Sequence, residues 1–429
     1  MHLRPGKSTL ARNIWNLYVE IAYFGFLFGI INTFLSVYAI RLGASNTDIG
    51  LLTALPALVF MLWSIPAARG VEQAPERMKF LLATGTLHRF GILALGLMPF
   101  VLTSFRAEAV VVIVTLLSIP QVMANIAFSA IFADVVPTMH RARVVAVRNT
   151  LLGLTSTLAS FLGGLYLGLL PADSPWGWFA TFPHNYQVLF LLGFIASMIG
   201  MVYLSRIRSN DPMVPHTSTA ILDSRLIMQR TSEYFALILG QREFVRFTLA
   251  LFILHWGLFL PAPLYSLYWV RGLHASDAFI GLLLTVQSIT SMLVYPLLPR
   301  TVRRLGNRTL LALSALLIAL YPLLTATIFT LEPLLVVSVV GGVGGAMFGL
   351  GSFNLLLEVT PQVHRPSFIA TYNAAVNSAG FVAPFVGTAL LNVIDINADL
   401  LLGGVFRLIG VLAVVLMVGI SGEREVARV

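Results

Sequence analysis

Three charged side chains interrupt long apolar runs of this 429-residue chain: Glu20, Arg89 and Arg407. A charge at the centre of a bilayer costs about 2.5–3.5 kcal/mol on insertion scales, so each needs a partner, water or a task. Glu20 is the acid of the three. Burial disfavours the ionised form of a carboxyl group, which suits a side chain that takes up a proton or binds a cation. Glu20 and Arg89 lie at similar depths from one end of their runs, so an ion pair between them is geometrically open. A purely structural neutralisation of Arg89, or snorkelling of Glu20 to the interface, accounts for the same pattern. Arg407 has no acid in its own run and reads as structural.

Neutral polar residues mark the same apolar runs. Gln121, Asn125 and Ser129 form an i, i+4, i+8 stripe, and Asn32 and Thr33 share the run of Glu20. Further along come His255, Trp256, Tyr265, Gln287, Asn354, Asn373 and Asn377. Polar groups at membrane depth must face protein or water, so they line a solute cavity or hydrogen-bond between helices. His255 adds a group able to titrate during transport. There is no cysteine, which excludes disulfides and thiol chemistry. No His/Asp/Glu cluster has metal-ligand spacing, and no phosphate loop, nucleophile elbow or zincin helix is present. The pattern is that of a non-enzyme without cofactor or metal.

The elements that must position these residues are membrane helices. The chain is 58% hydrophobic and 10% charged, against about 25% charged in soluble domains. Runs long enough to cross a bilayer core predict twelve spans, at 14–40, 48–68, 80–103, 108–134, 145–170, 184–205, 246–270, 278–299, 309–330, 333–359, 368–392 and 398–420. An even number puts both termini on one side. Of the Lys and Arg residues, 22 fall on that side and three (Arg41, Arg106, Arg271) on the other, which makes it the cytoplasm. The net charge of +9 thus reflects topology rather than a nucleic-acid site. The long polar stretch Arg206–Arg246 carries Ile221, Leu222, Leu226 and Ile227 at helical spacing, as an interfacial helix or a solvated tether.

The chain repeats itself. Asp134–Asn149 (DVVPTMHRARVVAVRN) returns 224 residues later as Glu358–Asn373 (EVTPQVHRPSFIATYN), with six identities in sixteen positions. Tyr38–Arg41 and Ser45 return as Tyr268–Arg271 and Ser276, and Arg77 returns as Arg308. Two parallel six-span halves follow: residues 1–205, a linker at 206–245, and 246–429. In both copies of the longer echo a proline (Pro137, Pro361) should end the preceding span. Asp134 and Glu358 then occupy a last helical turn, where the helix dipole is already negative and a cation is needed. Arg141, Arg143 and Arg148 follow Asp134, while Arg365 follows Glu358, so the segment is expected to be a charged hinge loop with an ion-pair cluster at the cytoplasmic mouth. In the tenth span Gly341, Gly345 and Gly349 present a small-residue face suited to helix packing.

This architecture resembles the major facilitator superfamily over essentially the whole chain. The superfamily's loop signature, Gly-x-x-x-Asp-Arg-x-Gly-Arg-Arg/Lys, is matched at Pro299–Arg308 by Arg304, Gly306 and Arg308. At Ala68–Arg77 it is matched by Glu72 in the acidic slot and Arg77 in the last basic slot, with Ala68 and Pro75 in place of the glycines. The resemblance implies an all-α integral membrane protein of two pseudo-symmetric six-helix bundles, with spans 1, 4, 7 and 10 around a central cavity. On that basis Glu20 is the candidate proton or cation site, and Glu72, Arg77, Arg304 and Arg308 join the gate candidates. Span 5 holds Gly163-Gly164 without the proline of the antiporter pattern; span 11 holds Gly380, Pro384 and Gly387.

The sequence therefore describes a secondary transporter that moves a small solute by alternating access, with proton-coupled efflux as one mode. An ion-independent facilitator is the alternative within that class. A non-transporting membrane receptor or assembly partner on the same fold is the alternative outside it. The expected partners are the solute, protons and the lipid bilayer; the expected state is a monomer in the cell membrane with both termini cytoplasmic.

Overall fold

The computed structural model describes residues 7–169, 177–208, 238–361 and 365–419. Twelve long helices account for nearly all of them: α1 (Lys7–Arg41), α2 (Asn46–Gln73), α3 (Arg77–Val101), α4 (Arg106–Val135), α5 (Thr138–Leu169) and α6 (His184–Ser205), then α7 (Arg242–Phe259), α8 (Asp277–Val294), α9 (Leu298–Ala326), α10 (Leu334–Val359), α11 (Arg365–Leu390) and α12 (Ile396–Ala413). Past Phe259 the path of α7 breaks at Leu260–Pro261, resumes as Ala262–Leu267 and ends in a π-helical turn at Tyr268–Gly272. The missing amide of Pro261 explains the break. Each expected span has a long helix under it and α6 has the expected limits, but the seventh span (246–270) continues past α7 into the two short segments and the eighth (278–299) reaches the start of α9. Among the described residues, ten apolar runs are long enough to cross a membrane, and one of them, Asp277–Ala326, holds both α8 and α9. The expected interfacial helix in the linker lies outside the described residues.

The described residues form two compact units. The first lies within Met1–Val214 and takes in Tyr265–Ser288; the second lies within Pro215–Leu264 and Ile289–Val429. In the first unit α1 packs on α5 and α6, and α4 packs on α2 and α3. One end of that unit is held by an aromatic cluster in which Tyr38 meets Phe190 edge-on at 5.1 Å and Tyr186 at 5.3 Å. The other end is aliphatic, with Leu17, Leu81, Ile131, Val144 and Leu204 buried together. In the second unit α7 packs on α11 and α12, and α9 on α10 and α12. Its core includes Phe244, Phe247, Leu251, Leu311 and Phe368.

Three expectations are corrected. The hinge loop of the first echo is almost absent, because α4 ends at Val135 and α5 begins at Thr138. Proline is tolerated just outside a helix start, so Pro137 divides two helices rather than opening a loop. The charged stretch after span 8 is also helical from Leu298, and it turns only at Gly306, whose φ of 78° and ψ of 164° suit glycine. The expected glycine face of α10 is not the packed one either. Gly345 and Gly349 are exposed, while Gly341, Gly342 and Gly344 are buried, and Gly344 closes on Ile318 of α9.

Candidate functional site

The first unit holds a cavity of about 200 Å³ among α1, α3, α4, α5 and α6, lined by Glu20, His88, Arg89, Gln121, Asn125 and Arg148 beside apolar side chains. Arg148 stands ten residues after the first residue of α5, which at helical rise is about 15 Å into the bundle. There its Nη1 donates to Glu20 Oε2 at 3.0 Å and to the Leu17 carbonyl at 2.7 Å. Its guanidinium lies 4.5 Å from the centre of the Phe128 ring. Both charged residues are buried, Glu20 to 5% exposure and Arg148 to 8%. Two charges this deep are stable only when paired and further hydrogen-bonded, and the Leu17 carbonyl and the Phe128 face supply that remainder.

Arg89 is therefore not the direct partner of Glu20. Its Nε donates to the Ser197 carbonyl of α6 at 3.2 Å and its Nη1 to the Gly85 carbonyl one turn back at 2.9 Å. The guanidinium sits 5.5 Å from the Phe24 ring centre. Arg407 donates to three carbonyls: Gly257 at 2.8 Å, Ile318 at 2.5 Å and Leu258 at 3.4 Å.

The gate candidates arrange themselves differently in the two repeats. Asp134 is met by Arg77, the first residue of α3, at 3.1 Å, so the expected cluster with Arg141, Arg143 and Arg148 does not form. Arg141 instead donates to the Ala133 and Val136 carbonyls at 2.6 and 2.9 Å. It caps the end of α4, where carbonyls lack helical partners. Arg143 is exposed. In the second repeat Glu358 accepts from Asn307 at 3.1 Å, and Asn307 accepts from Asn354 at 3.3 Å. Arg308 turns to the Val418 carbonyl at 3.2 Å and to Glu243 at 3.7 Å. Arg304 is exposed. The side chains of Glu72 and Arg365 lie outside those described.

Of the remaining polar candidates, Glu20, Gln121 and Asn125 share the cavity. Asn32 and Asn373 are exposed, whereas Trp256, Tyr265, Gln287 and Asn377 are half-buried. Buried His255 bonds the Leu251 carbonyl through Nδ1 at 2.7 Å, between the rings of Phe259 and Phe348. Tyr265 stacks on Trp269 with centroids 6.1 Å apart.

Two features escaped the sequence reading. Asp399 is fully buried, and neither carboxylate oxygen has a partner among the described residues. A reciprocal clasp also joins the α1–α2 corner to the start of α8 and the turn before it. Arg41 meets Asp277 at 2.6 Å, and Arg271 meets Asn46 at 2.6 Å and the Ala44 carbonyl. Arg271 is the repeat counterpart of Arg41, and Asp277 that of Asn46, so each arginine bonds the other copy's side chain. The sequence signal was the echo itself, whose basic residues recur at matched positions. Beside the clasp Gly164 of α5 faces Gly281 of α8, where a Cβ on either would come within 3.2 Å of the other's backbone.

A family model described as Major Facilitator Superfamily matches residues 12–244 and 247–427. Among solved structures, the D-xylose-proton symporter aligns with a TM-score of 0.72 at 15% identity, over 97% of this chain and 99% of that one. A point mutant of the nucleoside transporter NupG aligns at 0.71 and 14% identity, over 94% and 99%. The xylose transporter XylE from E. coli, in an inward open conformation, aligns at 0.70 and 13% identity, over 96% and 98%. Multidrug resistance protein 1 of Bacillus subtilis (strain 168) is 25% identical over 143 residues, which are 33% of this chain and 36% of that protein. The chain thus spans about a third of the length of the curated relative it matches.

Proposed function

The chain belongs to the Major Facilitator Superfamily, a family of membrane transporters, and from that premise we propose that it is a proton-coupled carrier of a small solute whose proton resides on Glu20. The observation behind this reading is the Glu20–Arg148 pair at 3.0 Å inside a cavity that also presents Gln121 and Asn125. While Glu20 is ionised, separating it from Arg148 leaves two unpaired buried charges. Protonating Glu20 removes its charge and frees the guanidinium for another acceptor. A proton gradient thereby acts on a pair that thermal motion alone separates poorly, since uncoupling a buried pair costs about 3–5 kcal/mol.

The Asp134–Arg77 and Glu358–Asn307 contacts form, in this proposal, the cytoplasmic gate of each repeat. The repeats divide at 1–205 and 246–429 around the linker, and a monomer sits in the cell membrane with both termini cytoplasmic.

The test begins with a thermal-shift screen of the purified protein against a solute library, since a binder of the native state raises apparent stability. Flux of a hit into proteoliposomes is then measured with and without a pH gradient, for the wild type and for Glu20→Gln. Wild-type flux should follow the gradient and the variant should ignore it, with the sign of the gradient telling uptake from export. Gradient-driven flux that persists in Glu20→Gln rejects the proton site. Wild-type flux indifferent to the gradient indicates a facilitator, and a tight binder that is never moved indicates a receptor.

A further inference from the structure

We propose that the Glu20 cavity is built for an anion, a small organic carboxylate held by Arg89 and Arg148. This rests on the reading of the cavity as the solute site. Three lining groups carry formal charge: Glu20, Arg89 and Arg148. Glu20 is matched one-to-one by Arg148, so, His88 apart, the cavity keeps one positive charge, on Arg89. That residue is buried to 5% exposure and no carboxylate hydrogen-bonds it among the described residues. Its carbonyl partners solvate the guanidinium without neutralising it.

Arg407 shows what a buried arginine with a structural task looks like. All three of its guanidinium nitrogens donate to carbonyls. Among the described residues, Arg89 hydrogen-bonds through Nε and Nη1 only, and Arg148 through Nη1 only. Both arginines, each with further N–H donors, line one small space together with Gln121 and Asn125. A carboxylate, acceptor-only and able to take two parallel N–H bonds from a guanidinium, is the group that satisfies them. A cation in the same space would meet an unmatched positive charge. The cavity of about 200 Å³ lies below the 300–1,000 Å³ of drug-sized sites, which points to a small molecule.

The arrangement also couples the anion to the proton. The titratable or charged groups in the cavity with Glu20 are Arg148 from α5 and His88 and Arg89 from α3. The α4 lining is neutral, with Gln121 and Asn125 as its polar groups, and α6 contributes Met201 and Leu204. When Glu20 accepts a proton, Arg148 loses its counter-ion and turns into a second cation for the ligand. Anion and proton therefore bind better together than apart, and by reciprocity each raises the affinity for the other.

The test uses three probes of one size on the full-length protein in nanodiscs: benzoate, benzamide and benzamidinium, with acetate and phenylphosphonate extending the anion set. Benzoate should raise the unfolding temperature in a dose-dependent way while benzamide and the cation do not. Its affinity should tighten about tenfold from pH 8 to pH 6, a range in which benzoate stays ionised, and this gain should vanish in Glu20→Gln. Arg89→Gln should lose benzoate binding and Arg89→Lys should recover part of it. Stabilisation by the cation instead of benzoate, or by none of the three anions, overturns the proposal. So does unchanged benzoate binding in Arg89→Gln. Because the probe series needs only wild-type protein, it holds even if the variants fold poorly. The ligand-free difference in pH-dependent stability between wild type and Glu20→Gln reads the proton site separately, so loss of the anion claim leaves that reading standing.

Discussion

The same junction is built twice in this protein with opposite chemistry. Where α1 meets α5, Glu20 and Arg148 form a buried ion pair. The repeat offsets carry these positions to Ala250 and Tyr372, where α7 meets α11. There Ala250 is fully buried, Tyr372 stacks on Phe247 at 5.7 Å, and Phe244 meets Phe368 edge-on at 4.9 Å. One scaffold thus closes with an aliphatic and aromatic contact what its twin closes with charge. Replacing a buried ion pair by well-packed apolar groups is often neutral or stabilising, so helix packing does not account for Glu20 and Arg148. The difference teaches that this junction can close without charge, which supports the proposed role of the pair in the first repeat.

The comparison breaks most sharply at Arg148. Arg148→Met strands a buried carboxylate and should lower stability by about 3–5 kcal/mol, measured by thermal or denaturant unfolding in detergent. The double variant Glu20→Ala/Arg148→Tyr writes the second repeat's pairing into the first. It should recover most of that loss, to within about 1–2 kcal/mol of wild type, because both charges leave together. Proton-driven flux should nevertheless be absent. A double variant as unstable as the single one would show that the junction depends on its charges for packing.

A second contrast lies at the corners before α3 and within α9. Pro75 and Gly306 are repeat counterparts, and both end a helix, but by different means. Pro75 holds Ala74 extended, with ψ of 125°, as the residue before a proline must be. Gly306 takes φ of 78° and ψ of 164°, a region open essentially to glycine. Gly306→Ala should therefore cost about 1–3 kcal/mol, read as a fall in unfolding temperature, whereas Pro75→Ala should change it by less than about 1 kcal/mol. Equal effects would mean that the two corners are interchangeable.

The helices and the duplication were legible because they rest on local composition: apolar runs set α1 to α12, and the echoes set the repeat. The partner of each charge was not. Arg148 reads as a loop residue only while Pro137 is taken to open a loop; once α5 starts at Thr138, the same residue is carried into the bundle. Glu20, Gln121 and Asn125 were legible as polar groups at membrane depth. That they share a cavity with Arg89 depends on the rotation of three helices, which spacing within one helix does not fix. Asp277 stands one residue before the expected eighth span and carries no signal of its own, and only the long-range approach of the α1–α2 corner gives it Arg41.

That clasp allows a finer comparison, because its two halves are the same position filled by Asp277 in one copy and Asn46 in the other. Asp277→Asn makes them alike, replacing a charge-assisted bond at 2.6 Å by a neutral one. Arg41 is about one-third exposed, its side chain at 32%, so solvent screens part of the pair, and the loss should be about 1 kcal/mol. It should shrink further at high salt.

The smallest effect belongs to the ends of α4 and α10. Arg77–Asp134 is the charged version and Asn307–Glu358 the neutral-donor version of one contact, at 3.1 Å in both cases. With side chains 27% and 45% exposed, the charged version should be worth only about 0.2–1 kcal/mol, and Arg77→Asn should be almost silent in unfolding measurements. Its influence, if the contact is a gate, should appear instead in accessibility. Cysteines introduced singly at exposed Ser129 and Asn125 of α4, in the natively cysteine-free chain, report that by their labelling rate with a membrane-impermeant maleimide. Arg77→Asn should raise the rate from the side proposed to be cytoplasmic and Asn307→Ala should do so less. An unchanged rate in both would make the two contacts plain helix-end capping, with the acid at each end serving only to anchor its neighbour.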